Sequence, residues 1–461
     1  MNLSSSEISF SQQERHLANH NVDLDSYLSK LDTIDLLKVN GRVSQVIGLV
    51  IESVGPNCSL GEVCIVKSHS GEDLCLSEVV GFKENRVLSM MLGGTARISP
   101  GSEIVASGKT FTVPVGKALL GRILDGLGQP MDKKGPIEGE ETRSIYAAPP
   151  NPLTRKRITE PVATGIRSID TLLTCGKGQR IGIFSASGVG KSTTLGMIAR
   201  NTNADVNVIA LIGERGREVR EFIDVDLKEE GLARSVVIVA TSDQEALVRL
   251  KAAFIATTIA EFFRDKGLNV MFLFDSITRV ATAQREVGLA IGEPPTTKGY
   301  TPSVFALLPK LLERAGNSDK GSITGMYTVL VEGDDMNEPV ADTTRAILDG
   351  HIILSRRLAS AGHYPAVDVL ESISRVMPNI TTPEQRQAIH RFSDLLATYR
   401  EAEDLVNIGA YVKGSNPKID KAITLIDEMR NFLKQNSSEK VDYTKSVQRL
   451  ISLMNQPGAL N

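Results

Sequence analysis

The 461-residue chain lacks an excess of charge of either sign. It carries 52 lysine and arginine residues against 55 aspartate and glutamate residues, which gives a formal net charge of −3 at pH 7. Binding to nucleic acid or to an anionic membrane surface draws much of its affinity from an excess of basic side chains. The composition of the whole chain therefore predicts neither nucleic acid nor a membrane surface as its main partner.

Cysteines and long apolar runs are also scarce. The four cysteines show no C-x-x-C spacing and no nearby histidine cluster, so we expect reduced core thiols rather than a metal site or disulfides. No apolar run approaches the length of a membrane-spanning helix, and the first residues, MNLSSSEISFSQQERH, lack the apolar region of a signal peptide. The sequence thus predicts a soluble, cytoplasmic protein.

What the chain does contain is an apolar run followed by a glycine-rich turn and a helix-forming segment, IGIFSASGVGKSTT at 181–194. Such a turn lets successive backbone N–H groups face phosphate oxygens, and the helix adds its positive N-terminal end. Lys191 would reach the terminal phosphates, and the hydroxyl of Ser192 would coordinate Mg²⁺. The pattern G-x-x-x-x-G-K-[ST] asks for glycine at position 185, where this chain has the small residue Ser185. The other predicted nucleotide contacts are Ser187, Gly188, Val189, Gly190 and Thr193.

A second chemical signal is the segment VMFLFD at 270–275, a predicted buried strand that ends in a carboxylate. Asp275 follows Lys191 by 84 residues in a region where strands and helices alternate. In a nucleotide hydrolase, a carboxylate at this place holds Mg²⁺. We therefore predict that Asp275 holds Mg²⁺ through the water shell of the ion.

The sequence pattern divides the chain into four segments. Residues 1–37 form a polar tail and an amphipathic helix, whose apolar face would pack on its own domain or dock a partner. Residues 38–110 carry short β-favouring runs between turn signals and predict a small β-barrel or sandwich. Residues 111–378 alternate apolar strands with helical stretches, as in an α/β core. Residues 379–461 predict a helical domain, with helices beginning near Pro383 and Pro417.

The strands predicted in the α/β core are apolar along most of their length, as parallel strands covered on both faces must be. They span residues 181–184, 206–213, 235–241, 270–275, 323–332 and 351–356.

Several long motifs carry a resemblance to a known family. They are GRILDGLGQPMD, the phosphate loop, LIGERGREVREFI, AIGEPPTTKGYTPSVFALLPKLLERAG, EGDDMNEPVAD, ILDGHIILSRRLASAGHYPAVDVLESISR and NIGAYVKGSNPKIDKAI, in this order from residue 121 to 423. Together they resemble the type III secretion ATPases, which are related to the catalytic subunit of the rotary ATP synthase. The last motif resembles the flagellar branch more than the injectisome branch. The resemblance implies a RecA-like phosphate-loop domain between an N-terminal β-barrel and a C-terminal helical domain.

The resemblance also implies roles for residues near the phosphate loop. Glu214, in GERGRE, matches the glutamate that positions and polarises the attacking water. Arg215 matches a contact to the γ-phosphate, and Glu218 matches a residue in the outer shell of Mg²⁺. Tyr364, in GHYPAVD, matches the position whose ring stacks on adenine. Arg375, in ESISR, matches the arginine finger that acts on the site of the neighbouring subunit.

The expected activity is Mg²⁺-dependent ATP hydrolysis that energises protein export by a homohexamer. The implied partners are a regulatory or stator dimer at the N-terminal helix, a central stalk, export chaperones and their substrates, and an export gate at the cytoplasmic face of the inner membrane.

A rotary ATP synthase subunit is the first alternative function, although the acidic segment typical of its helical domain is replaced here by GAYVKGSNPKID. An RNA-translocating ring is the second, although 38–110 contains one aromatic residue, Phe82, and few clustered basic residues.

Overall fold

The computed structural model of the protein describes residues 39–94, 97–331, 333 and 335–456. The amphipathic helix predicted within residues 1–37 lies outside these residues. Within them, a β-barrel, a helix-covered sheet and a group of helices follow one another along the chain. This architecture confirms the predicted fold class. No helix in this part of the chain is long and apolar enough to cross a membrane.

The barrel is closed by antiparallel strands at the start of the described chain: β1 Gly41–Ile47, β2 Val50–Val54, β3 Glu62–Lys67, β4 Asp73–Lys83, β5 Arg86–Met91 and β6 Glu103–Thr110, paired in the order β1-β2-β5-β4-β3-β6. Side chains alternate in burial along β3, where Cys64 and Val66 are buried while Val63 and Ile65 are partly exposed. This alternation arises because successive side chains of a strand point to opposite faces. The inward set packs into an aliphatic interior.

The strands of the central part, within residues 112–374, follow in chain order: β7 Thr112–Val115, β8 Ile123–Asp125, β9 Glu141–Ser144, β10 Pro161–Val162, β11 Cys175–Gly176, β12 Arg180–Ser185, β13 Val206–Ile212, β14 Ser235–Ala240, β15 Asn269–Asp275, β16 Gly316–Asn317, β17 Ser322–Leu330, β18 Gly350–Leu354 and β19 Val367–Ser374. The main sheet has the order β19-β18-β12-β17-β15-β13-β14-β8, with β16 beside β17. Two short pairs, β7 with β9 and β10 with β11, lie outside it.

The helices of the central part are α1 Arg167–Leu172, α2 Lys191–Asn201, α3 Gly216–Glu221, α4 Lys228–Ala233, α5 Ala246–Asp265, α6 Ile277–Ala290, α7 Pro302–Leu312, α8 Pro339–Ile347, α9 Arg356–Ser360 and α10 Met377–Ile380. A π-helical turn, Phe222–Leu227, joins α3 to α4, and 3₁₀ turns occupy Lys117–Leu119 and Thr297–Gly299. Strands β13 and β14 are buried along their whole length because helices cover both faces of the sheet.

The six strands predicted for this region correspond to β12, β13, β14, β15, β17 and β18, which pair in parallel. Three strands of the sheet were not predicted, β8, β16 and β19, and β16 has only two residues. Strand β8 has only three residues, too few to show a period, and gains its place by pairing in parallel with β14. Strand β19 runs antiparallel to β18 at the other edge, and its second half alternates exposed and half-buried positions rather than being apolar throughout.

The C-terminal part is helical, as predicted, with α11 Pro383–Asn407, α12 Pro417–Leu433 and α13 Tyr443–Met454. Each helix begins at a side-chain cap, because an N-terminal turn leaves backbone N–H groups without partners. Thr382 accepts from the backbone N–H of Gln385, Asn416 from that of Lys418, and Asp442 from that of Lys445. Proline follows the first two caps directly, where its missing N–H costs nothing.

Candidate active site

The glycine-rich turn lies between the end of β12 and the start of α2, as the sequence predicts. Gly188 and Gly190 adopt φ angles of 80° and 89°, a left-handed conformation that side chains with a Cβ rarely adopt. Val189 between them is buried and anchors the turn, while Ser187 is exposed. The first hydrogen bond of this helix runs from Thr194 N–H to the carbonyl of Gly190. The preceding N–H groups of α2 therefore have no partner within the helix and can donate hydrogen bonds to an anion.

Three predicted residues meet at the end of the parallel strands. The Nζ atom of Lys191, after β12, lies 2.6 Å from Oδ1 of Asp275, the last residue of β15, and 3.0 Å from Oε1 of Glu214, which follows β13. They meet because the carboxyl ends of parallel strands share one edge of the sheet. Thr328 on β17 donates its hydroxyl to Oδ1 of Asp275 at 2.7 Å. Thr328 could not be predicted as a site residue, since a lone threonine in an apolar strand gives no signal.

The electrostatics of this cluster depend on burial and on the pairing of opposite charges. Burial raises the pKa of Asp275, and the attraction of Lys191 opposes that rise. Burial by itself would lower the pKa of Lys191, but the carboxylates of Asp275 and Glu214 outweigh it, so the pKa is raised. Lys191 is therefore a fixed cation whose two carboxylate partners hold it beside the glycine-rich turn.

A cleft of about 620 Å³ opens over the turn and the first residues of α2, and Ser192 and Thr193 line it. The side chain of Thr193 hydrogen-bonds that of Asp226, and this bond opposes the rise that burial gives the pKa of Asp226.

Arg279, in the first turn of α6, also lines the cleft and was not predicted. The side chain of Arg279 explains the need for glycine at position 213, because a Cβ atom there would lie only 2.7 Å from the Cβ of Arg279. The spacing of Arg279, four residues after Asp275, is the signal that could have found it.

Arg215 and Glu218 line the outer part of the same cleft. Their side chains are 82% and 48% exposed, and they approach each other to 3.8 Å. At such exposure an ion pair fixes neither group firmly. Both residues can therefore turn toward a ligand in the cleft.

Tyr364 lies on the other side of the glycine-rich turn. A Cβ at Gly190 would lie 3.5 Å from its ring, which is half exposed and borders a second cavity of about 350 Å³. The far wall of this cavity is formed by Gln435, Asn436 and Ser437, which come after α12 in the C-terminal part. The backbone N–H of Gln435 donates to the carbonyl of Tyr364 at 2.9 Å. No site residue was predicted in the segment 435–437, because only the tertiary fold brings it to the glycine-rich turn.

Arg375 does not join the other predicted residues within one chain. It follows β19, and Ser374, the last residue of that strand, pairs with Gly350, the first residue of β18. The antiparallel strand thus ends at the edge of the sheet opposite to the glycine-rich turn. Arg375 is exposed there, and its guanidinium donates to the carbonyl of Leu348 at 3.2 Å. It cannot reach a ligand in the cleft of its own chain.

Three models of known protein families match this chain. Residues 165–374 match the nucleotide-binding domain of the ATP synthase alpha/beta family, residues 43–108 match the β-barrel domain of that family, and residues 381–452 match the C-terminal domain of the type III secretion ATPase EscN. The chain belongs to the type III secretion and flagellar ATPase family. This membership confirms both the resemblance drawn from the sequence and the expected ATPase activity. The match at 381–452 favours the export ATPases over the rotary synthases.

Relatives of this ATPase come from both branches of the family. The chain is 57% identical to the flagellum-specific ATP synthase of Bacillus subtilis over 93% of its own length and 98% of that protein. It is 50% identical to the type 3 secretion system ATPase of Xanthomonas euvesicatoria over 92% and 96% of the two chains. Among solved structures, the assembled ATPase EscN from enteropathogenic E. coli matches with a TM-score of 0.84 and 46% identity, covering 90% of this chain and 99% of EscN. EscN in complex with its central stalk EscO matches with a TM-score of 0.83.

Proposed function

We propose that this ATPase energises protein export through a flagellar type III apparatus and works as a homohexamer with nucleotide at the interfaces between subunits. The observation that carries the proposed ATP hydrolysis is the meeting of Lys191, Asp275 and Glu214 beside the glycine-rich turn. The higher identity with the flagellum-specific relative from Bacillus subtilis than with the relative from Xanthomonas euvesicatoria supports the flagellar branch.

The ATP site is assigned from the cleft. Lys191 binds the β- and γ-phosphates together with the backbone of Ser187, Gly188, Val189 and Gly190 and the first turn of α2, including Thr193. Arg215 contacts the γ-phosphate. The ring of Tyr364 stacks on adenine, since a base has a flat face and few charges. The neighbouring segment 435–437 closes the base site from the C-terminal side.

The residues of the cleft also fit Mg²⁺. Oxygen atoms are its preferred ligands. Ser192, which lines the cleft, would offer its hydroxyl, and the buried Asp275 would hold the ion through its water shell. Glu218, which is more exposed, belongs to the outer shell. When bound, the ion neutralises charge on the phosphate oxygens.

Hydrolysis then depends on positioning and on charge compensation. The carboxylate of Glu214 accepts a hydrogen bond from the attacking water and orients it toward the γ-phosphorus. Lys191 holds the phosphates in line with that water. Arg375 enters the site of the neighbouring subunit and stabilises the charge that spreads over the transferred phosphoryl group. The position of Arg375 at the opposite edge of its own sheet supports this role across the interface.

The remaining assignments complete the proposal. The chain is organised as residues 1–37, 38–110, 111–378 and 379–461, with a regulatory or stator dimer bound by the first segment. A central stalk enters the assembled ring, as the solved complex of EscN with EscO supports. Export chaperones and their substrates engage the C-terminal helices. The ring is a cytoplasmic protein attached peripherally to the export gate at the inner membrane.

The decisive experiment is complementation in two strains, one lacking its flagellar export ATPase and one lacking its injectisome ATPase. We expect this chain to restore filament assembly in the first strain, and the Lys191→Ala variant to fail at equal expression. Restoration of injectisome secretion without filament assembly would contradict the flagellar assignment. Purified protein that releases no phosphate from ATP at any protein concentration would contradict the assigned activity.

A further inference from the structure

A separate cavity of about 400 Å³ lies between the nucleotide-binding sheet and the C-terminal helices. It is bordered by β19 and by the segment 357–363 on one side, and by α11 and α12 on the other. Its volume lies within the range of small-molecule sites. None of the residues predicted for ATP or Mg²⁺ lines it.

The charges around this cavity are unbalanced. Four of its lining residues are cationic and two are anionic: Arg357, Arg400, Arg430 and Lys434 against Asp368 and Glu403. Arg400 is paired with Asp368 at 2.8 Å and, outside the lining, with Glu371 at 3.7 Å. Arg430 and Arg357 share Glu403 at 2.6 Å and 3.4 Å. Lys434 forms no ion pair with any residue that the structure describes. The cavity therefore favours an anion, and Lys434 is the cation available to meet it.

One residue of the lining also carries a buried polar atom without a partner. The side chain of His363, which is only 5% exposed, lines the cavity, and its Nε2 atom has no hydrogen bond to any described residue. A buried polar atom without a partner is costly, by roughly 1–3 kcal/mol, so that it is rare in folded proteins. A ligand with a hydrogen-bonding group would satisfy it.

The rest of the lining is apolar. Leu396 and the ring of Tyr399 on α11, Ile426 on α12, and Val367 and Val369 on β19 supply most of it. An apolar floor with a few polar groups at one side is typical of a site for an amphipathic small molecule.

We propose that this cavity binds a small organic anion, an apolar body that carries a carboxylate, sulfonate or phosphate group, with the anion at Lys434 and a hydrogen bond at His363. The bound molecule is coupled to the base site through the backbone. His363 precedes Tyr364 and Lys434 precedes Gln435, and these two successors are joined by the 2.9 Å hydrogen bond from Gln435 N–H to the Tyr364 carbonyl. A ligand that shifts either segment therefore moves the ring of Tyr364. Binding of the anion is independent of the proposed function, whereas its coupling to ADP rests on the role proposed for Tyr364.

The probe is 8-anilinonaphthalene-1-sulfonate, an aromatic anion whose fluorescence rises in apolar surroundings. It is titrated into the full chain in the presence of saturating ADP, so that the probe does not occupy the nucleotide site. We expect Lys434→Gln to weaken binding about tenfold, the loss of one charge-assisted hydrogen bond, and His363→Leu to weaken it about threefold. Leu396→Trp fills the cavity and should abolish the binding. Lys418→Gln, an exposed lysine at the start of α12, is the matched control and should change nothing.

Two results would overturn the proposal at different points. Equal probe affinity in Lys434→Gln, His363→Leu and the parent chain would exclude the site itself, whether or not Leu396→Trp folds. If the variants weaken the probe as expected, ADP affinity is then measured with and without the probe. Coupling requires both affinities to change by the same factor, because linkage between two sites is reciprocal. An unchanged ADP affinity would exclude the coupling and leave the site in place.

Discussion

The Nζ atom of Lys191 lies 2.6 Å from Oδ1 of Asp275, although the two residues are 84 positions apart in the chain. The pair joins the cation assigned to the phosphates with the carboxylate assigned to Mg²⁺. Glu214 completes the cluster at 3.0 Å from the same ammonium. Charge compensation among the three groups means that a change at one of them alters the environment of the others.

Lys191→Ala and Glu214→Gln should both abolish hydrolysis but should differ in ATP affinity. In the proposed site Lys191 contacts the phosphates in the ground state, so its loss should weaken ATP binding about tenfold or more. Because the role proposed for Glu214 concerns the attacking water, Glu214→Gln should bind ATP with nearly the parent affinity. Nucleotide titration and phosphate release check both variants, with the exposed Glu229→Gln as the matched control. Hydrolysis at the parent rate in Glu214→Gln would refute its role.

Arg375→Ala should lose about 10³–10⁵ in rate with little change in ATP affinity, since a finger acts on the transition state. Because Arg375 and the cleft lie at opposite edges of the sheet, activity should require association of subunits. Specific activity should therefore rise with protein concentration. A mixture of Arg375→Ala and Lys191→Ala subunits should recover part of the activity, because some interfaces then pair an intact turn with an intact finger. Constant activity per subunit down to the monomer, without recovery in the mixture, would exclude a shared site.

Deletion of residues 1–35 should leave folding and basal ATPase activity intact and should abolish binding of the regulatory dimer. The expectation rests on the apolar stripe of the predicted amphipathic helix, Leu24, Tyr27, Leu28, Leu31 and Ile34. Circular dichroism, phosphate release and co-purification with the regulator are the three measurements. If the truncated chain fails to fold, the stripe packs on its own domain instead.

His363 should make the protein less stable in mild acid. Burial lowers the pKa of His363 to about 4, and the positive charges of Lys434 and Arg430 add to this effect. An unfolded histidine titrates near 6.5, so between about pH 6.5 and pH 4 the unfolded chain binds more protons than the folded chain. The free energy of unfolding should therefore fall as the pH falls through this window, by up to about 3 kcal/mol. His363→Leu should flatten that part of the dependence in denaturant titrations, whereas the exposed His390→Gln should not.

Arg314→Met should destabilise the protein by about 3–5 kcal/mol, because it leaves the carboxylate of Glu261 buried without its cation. The guanidinium of Arg314 donates to both oxygens of Glu261 and to the carbonyl of Ile145, and both charged side chains are almost fully buried. Arg220→Met, which breaks an exposed pair with Asp224, should cost less than about 1 kcal/mol. Thermal and denaturant unfolding compare the two variants. Equal losses would show that burial does not set the cost of these pairs.

The sequence alone determined the features that depend on local pattern. The glycine-rich turn from Ser187 to Ser192 has a left-handed backbone conformation at two positions, and both are occupied by glycine, Gly188 and Gly190. The six apolar strands could be predicted because a parallel strand that is covered on both faces is apolar along most of its length. The helix caps at Thr382 and Asn416 could be predicted because their side chains accept hydrogen bonds from backbone N–H groups in the first turn of their own helix. The end of β15 at Asp275 followed from the same apolar pattern.

Only the tertiary structure decided how distant segments meet. Strand β8 is too short to be recognised alone, and β19 turns back against β18, which carries Arg375 to the edge away from the turn. The contact of Gln435 with Tyr364 and the unpaired Nε2 of His363 depend on the packing of the C-terminal helices against the sheet. A sequence pattern reports the surroundings of a residue only within a turn or a strand. Contacts between different strands and helices depend on how those elements pack against one another.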